Sequence, residues 1–189
     1  QINQVKSDAF VKGSDQATNT LDLNEAETRR RLIDSELRIV GWDVGLKGVN
    51  TDQVTLEHEV DGQPTPSGIG YCDYVLWDDN GKPLAVVEAK RSRENPEKGR
   101  QQAKLYADSL EKKHAQRPVI FYTNGYDIWI WDDVLDTVPR KLYGYYGKDS
   151  LQYLINQRKH RKNLNTAPID TSIAGRLYQM ETITRVSER

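Results

Sequence analysis

The feature that most constrains this chain is a pair of apolar segments, YCDYVLW at 71–77 and PLAVVEAK at 83–90, joined by a short polar stretch and each interrupted by charge. Apolar runs of this length bounded by turn residues read as strands. The nearly continuous apolar character of the second is the pattern of a strand covered on both faces. Strand side chains alternate, so Glu88 and Lys90, two apart, project from one face. Two charges at the end of such a strand are costly unless they have partners or a task. Asp73 breaks the first strand in the same way. If Asn80-Gly81 forms a two-residue hairpin turn, Asp79 pairs with Lys82, and six steps back along each strand Asp73 lies opposite Glu88. A slip of one residue would set Asp73 opposite Val87 and turn the carboxylates to different faces.

Around this hairpin the periodicity predicts a layered arrangement. NEAETRRRLIDSELRIVGW reads as a helix with Leu32, Ile33, Leu37 and Val40 at helical spacing, Asn24 as its cap and Gly41 near its end. VTLEHEV at 54–60 is strand-like, and a Pro- and Gly-containing loop separates it from YCDYVLW. Ala103, Tyr106, Ala107 and Leu110 form one stripe of a helix over about 96–113. PVIFYTNGYDIWIW gives strand, Asn124-Gly125 turn and strand. A further helix is expected over 148–162, and a last helical stretch in RLYQMETITRVSER. Helix, three strands, helix, two strands is the order of an α/β domain, a mixed sheet with helices on its faces.

Composition limits the function classes. No apolar run approaches the roughly 20 residues of a membrane span, so no membrane role is expected and the cytoplasm is the natural compartment. The single cysteine, Cys72, reads as a small buried hydrophobe rather than a redox centre. With 27 basic and 28 acidic residues the net charge is −1, so any DNA affinity rests on local patches or attached domains. The basic runs Arg29-Arg30-Arg31 and Arg158–Lys162 read as solvated helix faces. A chain opening at Gln1 with Met180 as its one methionine is expected to be a piece of a longer protein.

The chemistry lies in Asp73, Glu88 and Lys90. Converging carboxylates without histidine or cysteine suit a hard, oxygen-preferring cation such as Mg²⁺ rather than zinc. A neighbouring lysine adds charge to position or deprotonate a water attacking a phosphodiester.

Asp73, fourteen intervening residues and then Glu88-Ala89-Lys90 resemble the D…(D/E)xK motif of restriction-endonuclease-like nucleases. Gln102 and Tyr106, four apart on one helix face, resemble the added Q-x-x-x-Y motif of the RecB-like branch. In order and wording AETRRRLIDSELRIVGW, GYCDYVLWDDNGKPLAVVEAKR, QQAKLYA and PVIFYTNGYDIWIWD, over about 25–132, are similar to the amino-terminal nuclease region of type I restriction subunits. The resemblance implies a restriction-endonuclease-like fold with Asp73, Glu88 and Lys90 as catalytic residues. It implies Mg²⁺ held by Asp73 and Glu88, and Gln102 and Tyr106 placing double-stranded DNA. Glu27 is read evenly as a third metal ligand or as the capping-box partner of Asn24. Residues 1–162 would be the endonuclease domain, and 163–189 a linker and the start of a helicase. RLYQMETITRVSER resembles the entry to that motor, with Gln179 as a candidate adenine contact. The chain has no phosphate-binding loop, so ATP would act only through the helicase. Methylation and specificity subunits are the implied partners. A docking module inactive in isolation and a stand-alone repair-type nuclease are the rival readings.

Overall fold

A computed structural model describes residues 28–135, 138–160 and 168–187. Asn24 and Glu27, and with them the capping and third-ligand expectations, lie outside the described residues. The chain divides into two compact units, residues 1–155 and 156–189.

The first unit is built on a six-stranded sheet in sequence order: β1 (Val54–Asp61), β2 (Ile69–Trp77), β3 (Pro83–Ala89), β4 (Val119–Thr123), β5 (Ile128–Trp131) and β6 (Arg140–Leu142). Every neighbouring pair is antiparallel except β3 and β4, which are parallel. A parallel pair needs a crossover, and α2 (Glu97–His114) supplies it. The strand β6, RKL, was not expected. Two charged residues and one leucine are too short a run to show alternation.

Each face of the sheet carries its own core. On one, Ile33 and Leu37 pack with Tyr74, Leu76, Ala85, Val87, Phe121, Ile130 and Leu151. These come from a π-helical turn (Arg29–Ile33), from α1 (Asp34–Ile39) that continues it, and from α3 (Lys148–His160). On the other, the α2 stripe Ala103, Tyr106, Ala107 and Leu110 covers Cys72, Val75, Val86, Ile120 and Tyr122. All seven residues of β3 are buried, as its apolar run predicts. At about 1.5–3 kcal/mol for each fully buried aliphatic side chain, this strand is the part of the sheet least able to shift.

The hairpin differs in detail from the two-residue turn. Asp78 N–H donates to Lys82 O, Gly81 N–H donates to Asp78 O, and Gly81 takes a left-handed φ of 72°. That is a three-residue loop in which the third position favours glycine. The longer loop shifts Trp77 onto Pro83, and an irregularity between Leu76 and Trp77 restores the pairs Leu76↔Ala85, Val75↔Val86 and Tyr74↔Val87. Extra loop and bulge cancel, so the expected register holds from Leu76↔Ala85 to Tyr74↔Val87, where the pairing ends one residue short of Asp73.

The second unit contains α4 (Leu177–Ser187). Among the described residues no helix is long and apolar enough to cross a membrane.

Candidate active site

The register alone does not aim Asp73. Leu56 and its partner Tyr74 pack with the α1 face, whereas Cys72 and Val60 belong to the α2 face. Between Leu56↔Tyr74 and His58↔Cys72 both strands therefore change face, at Glu57 and Asp73. Glu57 has φ 46°, a left-handed conformation uncommon for a residue with a side chain. Such a residue in mid-strand breaks alternation and re-aims side chains, as β-bulges next to functional sites do. The β2–β3 ladder stops at Tyr74↔Val87. Beyond it the Asp73 carboxylate takes the ladder's place, its Oδ2 accepting the Ala89 N–H at 2.7 Å. Asp73 thus joins the end of β3 through the backbone rather than by lying beside Glu88 on a flat face.

Glu88 and Lys90 do share a face, as two-residue spacing requires. Lys90 Nζ donates to Glu88 Oε1 at 2.8 Å and to Gln102 Oε1 at 3.1 Å. Lys90 is fixed at its backbone too, its N–H donating to Thr123 O across the parallel pair. Gln102 Nε2 donates in turn to the Tyr106 hydroxyl at 2.7 Å. Gln102 and Tyr106 stand one turn apart on α2, so a single chain of hydrogen bonds runs from Glu88 through Lys90 into that helix. Tyr106 is 4% exposed. Burial raises its hydroxyl pKa above the ordinary value, with the Gln102 hydrogen bond opposing. Of the two expected DNA-placing residues, Gln102 is part-buried and reaches Lys90, and Tyr106 is buried one turn further along α2.

Three further residues belong here, and of them the sequence offers only Arg29, as an arginine that could approach phosphate but reads better as part of a solvated face. Arg29 Nη1 donates to Asp73 Oδ1 at 2.7 Å and its Nη2 to Glu57 Oε1 at 3.1 Å. Burial works against the guanidinium charge, but Asp73 and Glu57 outweigh it and raise the Arg29 pKa. Arg29 therefore faces the site, where the sequence reading placed it on a solvated face. A run of three arginines on a helix carries no sign of which one turns inward. Gly99, in the first turn of α2, is the third. A Cβ there would stand 3.0 Å from Glu88 Cγ and 3.4 Å from Lys90 Cε, so glycine lets the helix start close against both side chains.

Cys72 beside Asp73 is fully buried, and burial followed by the Glu88 and Asp73 charges pushes its thiol pKa well up. It stays a neutral packing group. Among the described residues no group of three or more His, Cys, Asp or Glu side chains could hold a metal ion. A cation here would have the carboxylates of Asp73 and Glu88 and would complete its shell with water and substrate oxygens. That donor set fits Mg²⁺, which usually keeps several waters and binds through one or two carboxylates. Gln179 lies in the second unit, where its Oε1 accepts the Arg176 N–H at 3.2 Å and caps the start of α4.

The model of the family described as type I restriction enzyme R protein N terminus matches residues 47–137, the stretch that carries Asp73, Glu88, Lys90, Gln102 and Tyr106. A type I restriction enzyme EcoAI endonuclease subunit of Escherichia coli is 32% identical over 115 residues, covering 57% of this chain and 13% of that protein. The chain thus spans a small part of the relative's length. A solved fragment assigned to an HsdR subunit of a type I restriction enzyme from Vibrio vulnificus YJ016 superposes with a TM-score of 0.58 at 25% identity. It covers 81% of this chain and 28% of that one. Residues 47–137 thus carry the amino-terminal region of type I restriction enzyme R proteins.

Proposed function

We propose that residues 1–162 are a metal-dependent endonuclease domain that hydrolyses phosphodiester bonds of double-stranded DNA. The observation that carries the reading is the ion pair of Lys90 with Glu88, held from behind by Gln102 and Tyr106, at the strand end where Asp73 meets Ala89. Asp73 and Glu88 would hold Mg²⁺. When bound, the cation would supply Lewis acidity and positive charge to the phosphate. Lys90 presents its ammonium at a fixed place, where it would orient the attacking water and offset charge growing on the phosphate oxygens. The buried floor of β3 keeps these groups from rearranging as that charge develops. Gln102 would touch the DNA strand, and Tyr106 would keep the Gln102 amide turned toward Lys90.

Residues 163–189 would lead into a helicase, and ATP would act through that motor. An adenine contact by Gln179 would require it to leave its cap on Arg176. Methylation and specificity subunits would be the partners, in the cytoplasm.

Calorimetric titration of Mn²⁺ or Mg²⁺ into the wild type, Asp73→Ala and Glu88→Ala tests the metal assignment. Binding by the wild type and at least tenfold weaker binding by both variants is expected, and equal binding by all three overturns the site. In a reconstituted complex Lys90→Ala should lose cleavage and keep DNA binding. Unchanged cleavage removes Lys90 from the chemistry. The same Lys90→Ala complex separates an enzyme from an inactive docking module, for which no variant of these residues would alter cutting.

A further inference from the structure

Each of the two carboxylates has a cation against it. Glu88 is countered by Lys90 from its own strand, Asp73 by Arg29 from the π-helical turn ahead of α1. Arg29 is not a loose surface arginine that happens to lie near. Its side chain is 21% exposed, its guanidinium spans Asp73 and Glu57, and its turn is pinned from outside the site. The neighbouring Thr28 and Leu32 press on Gly125 of the β4–β5 loop, where an added Cβ would come within 2.6 Å of Leu32 Cδ1. Glu57, in turn, is held in the left-handed conformation that brings it across from Asp73. A strained backbone residue persists where the surroundings over-determine it, and here it places the second anchor of the arginine.

Resting on the proposed metal site, we infer that Arg29 is a built-in counter-cation of Asp73. It neutralises and orients the carboxylate while the site is empty, and Glu57 receives part of its charge when a divalent cation takes up Asp73. Two carboxylates brought together in a partly buried site repel each other, and Arg29 offsets the charge of Asp73 as Lys90 offsets that of Glu88. With Arg29 the fold tolerates the empty state, at the expense of a weaker grip on the cation, because a guanidinium and a divalent ion oppose each other at one carboxylate. Arg29 is a positioning residue, acting through Asp73. Glu57 acts one step further back, through Arg29.

The two side chains have opposite predicted effects on cation affinity, which a purely structural role would not produce. Mn²⁺ alone is the probe, read by calorimetry, with thermal unfolding measured with and without it. Arg29→Gln removes the competing charge and should bind Mn²⁺ about tenfold more tightly than the wild type. Its melting temperature should fall without the metal and recover when Mn²⁺ is added. Arg29→Lys, which keeps a charge there, should stay within about threefold of the wild type. Glu57→Gln leaves Arg29 to Asp73 alone and should bind Mn²⁺ about threefold more weakly. Equal or weaker binding by Arg29→Gln, or a melting deficit that Mn²⁺ does not repair, overturns the inference while leaving the metal site standing. If neither the wild type nor Arg29→Gln binds Mn²⁺, the metal site and the inference fall together. Should Arg29→Gln unfold, the opposite sign in Glu57→Gln still decides: unchanged or tighter binding there overturns the inference.

Discussion

Two clusters of charge are held inside the first unit, and they are built on opposite plans. Around Arg117, which is 8% exposed, stand Asp133, Asp108 and Glu111. One cation is ringed by carboxylates from the second half of α2 and from the turn after β5, and Asp133 meets the guanidinium through both of its oxygens. Burial works against both charges, yet the hydrogen bonds prevail, holding Asp108 below its ordinary range and Arg117 above its own. At the other cluster the anions Asp73 and Glu88 are brought together from adjacent strands, and each is countered by a cation reaching in from the side. The first plan uses charge to fix one element against another, with the fork geometry that suits arginine. The second gathers like charges where the ladder between two strands gives out. Burial of charge is common to both, so burial does not mark a functional site. What differs is that Asp73 and Glu88 each take a separate cation, whereas three carboxylates share Arg117.

The largest effect expected from this contrast is on stability. Arg117→Ala would strip the part-buried Asp133 of its bidentate partner, while Asp108 keeps Lys104 and the half-exposed Glu111 keeps water, and removing one partner of a buried ion cluster costs about 3–5 kcal/mol. In a unit of this size each kcal/mol lowers the melting temperature by about 2–4 °C. A fall of about 10 °C is therefore expected, with Mn²⁺ affinity at the other cluster unchanged. A loss below about 1 kcal/mol would place Arg117 among ordinary surface pairs and end the distinction between a locking cluster and a working one.

The reverse pattern is expected at Gly99. Alanine in a helix is favoured over glycine by about 1 kcal/mol, so Gly99→Ala should melt at or slightly above the wild-type temperature. Its methyl group, at 3.0 Å from Glu88 Cγ, would displace the pair that Lys90 makes with Glu88 by a few tenths of an ångström. Cleavage by the reconstituted complex should fall about tenfold, as small misplacements of reacting groups do. Full cleavage in Gly99→Ala would mean that Glu88 and Lys90 tolerate movement and that the site is less rigid than the buried β3 suggests.

The sheet and α2 were legible because their apolar residues recur at the strand and helix periods, and β3 is buried along its whole length as its sequence implies. The register also came through from Leu76 to Tyr74, although the turn from which it was counted did not form and the pairing ends before Asp73 reaches Glu88. A loop one residue longer and a bulge at Leu76/Trp77 offset each other. What could not be read is whatever depends on a break in periodicity. The left-handed Glu57 reverses which face its neighbours take, and no residue type at 57 announces it. Arg29 meets Asp73 across 44 residues. Its neighbours Arg30 and Arg31 make the inward residue indistinguishable from a solvated run, and only the packing of the turn decides between them.

The smallest effect separates the two plans within a single hydrogen-bond chain. Tyr106 belongs to the core by its ring, which packs so closely on β2 that a Cβ at Gly70 would come within 2.8 Å of it. It belongs to the site by its hydroxyl, which accepts from Gln102. Tyr106→Phe keeps the ring and removes the acceptor, leaving the half-buried Gln102 amide to find water. Losing one such bond costs about 1 kcal/mol, a shift of about 2–4 °C. With its amide released, Gln102 would still reach Lys90 but spend less time there, so cleavage should fall only about two- to threefold. Gln102→Leu, which removes the link to Lys90 outright, should cost more in cleavage than Tyr106→Phe does. If Tyr106→Phe instead abolished cleavage at unchanged melting temperature, the hydroxyl would have to leave Gln102 and touch the substrate itself. The closed chain from Glu88 to Tyr106 would then describe only the resting arrangement of the site.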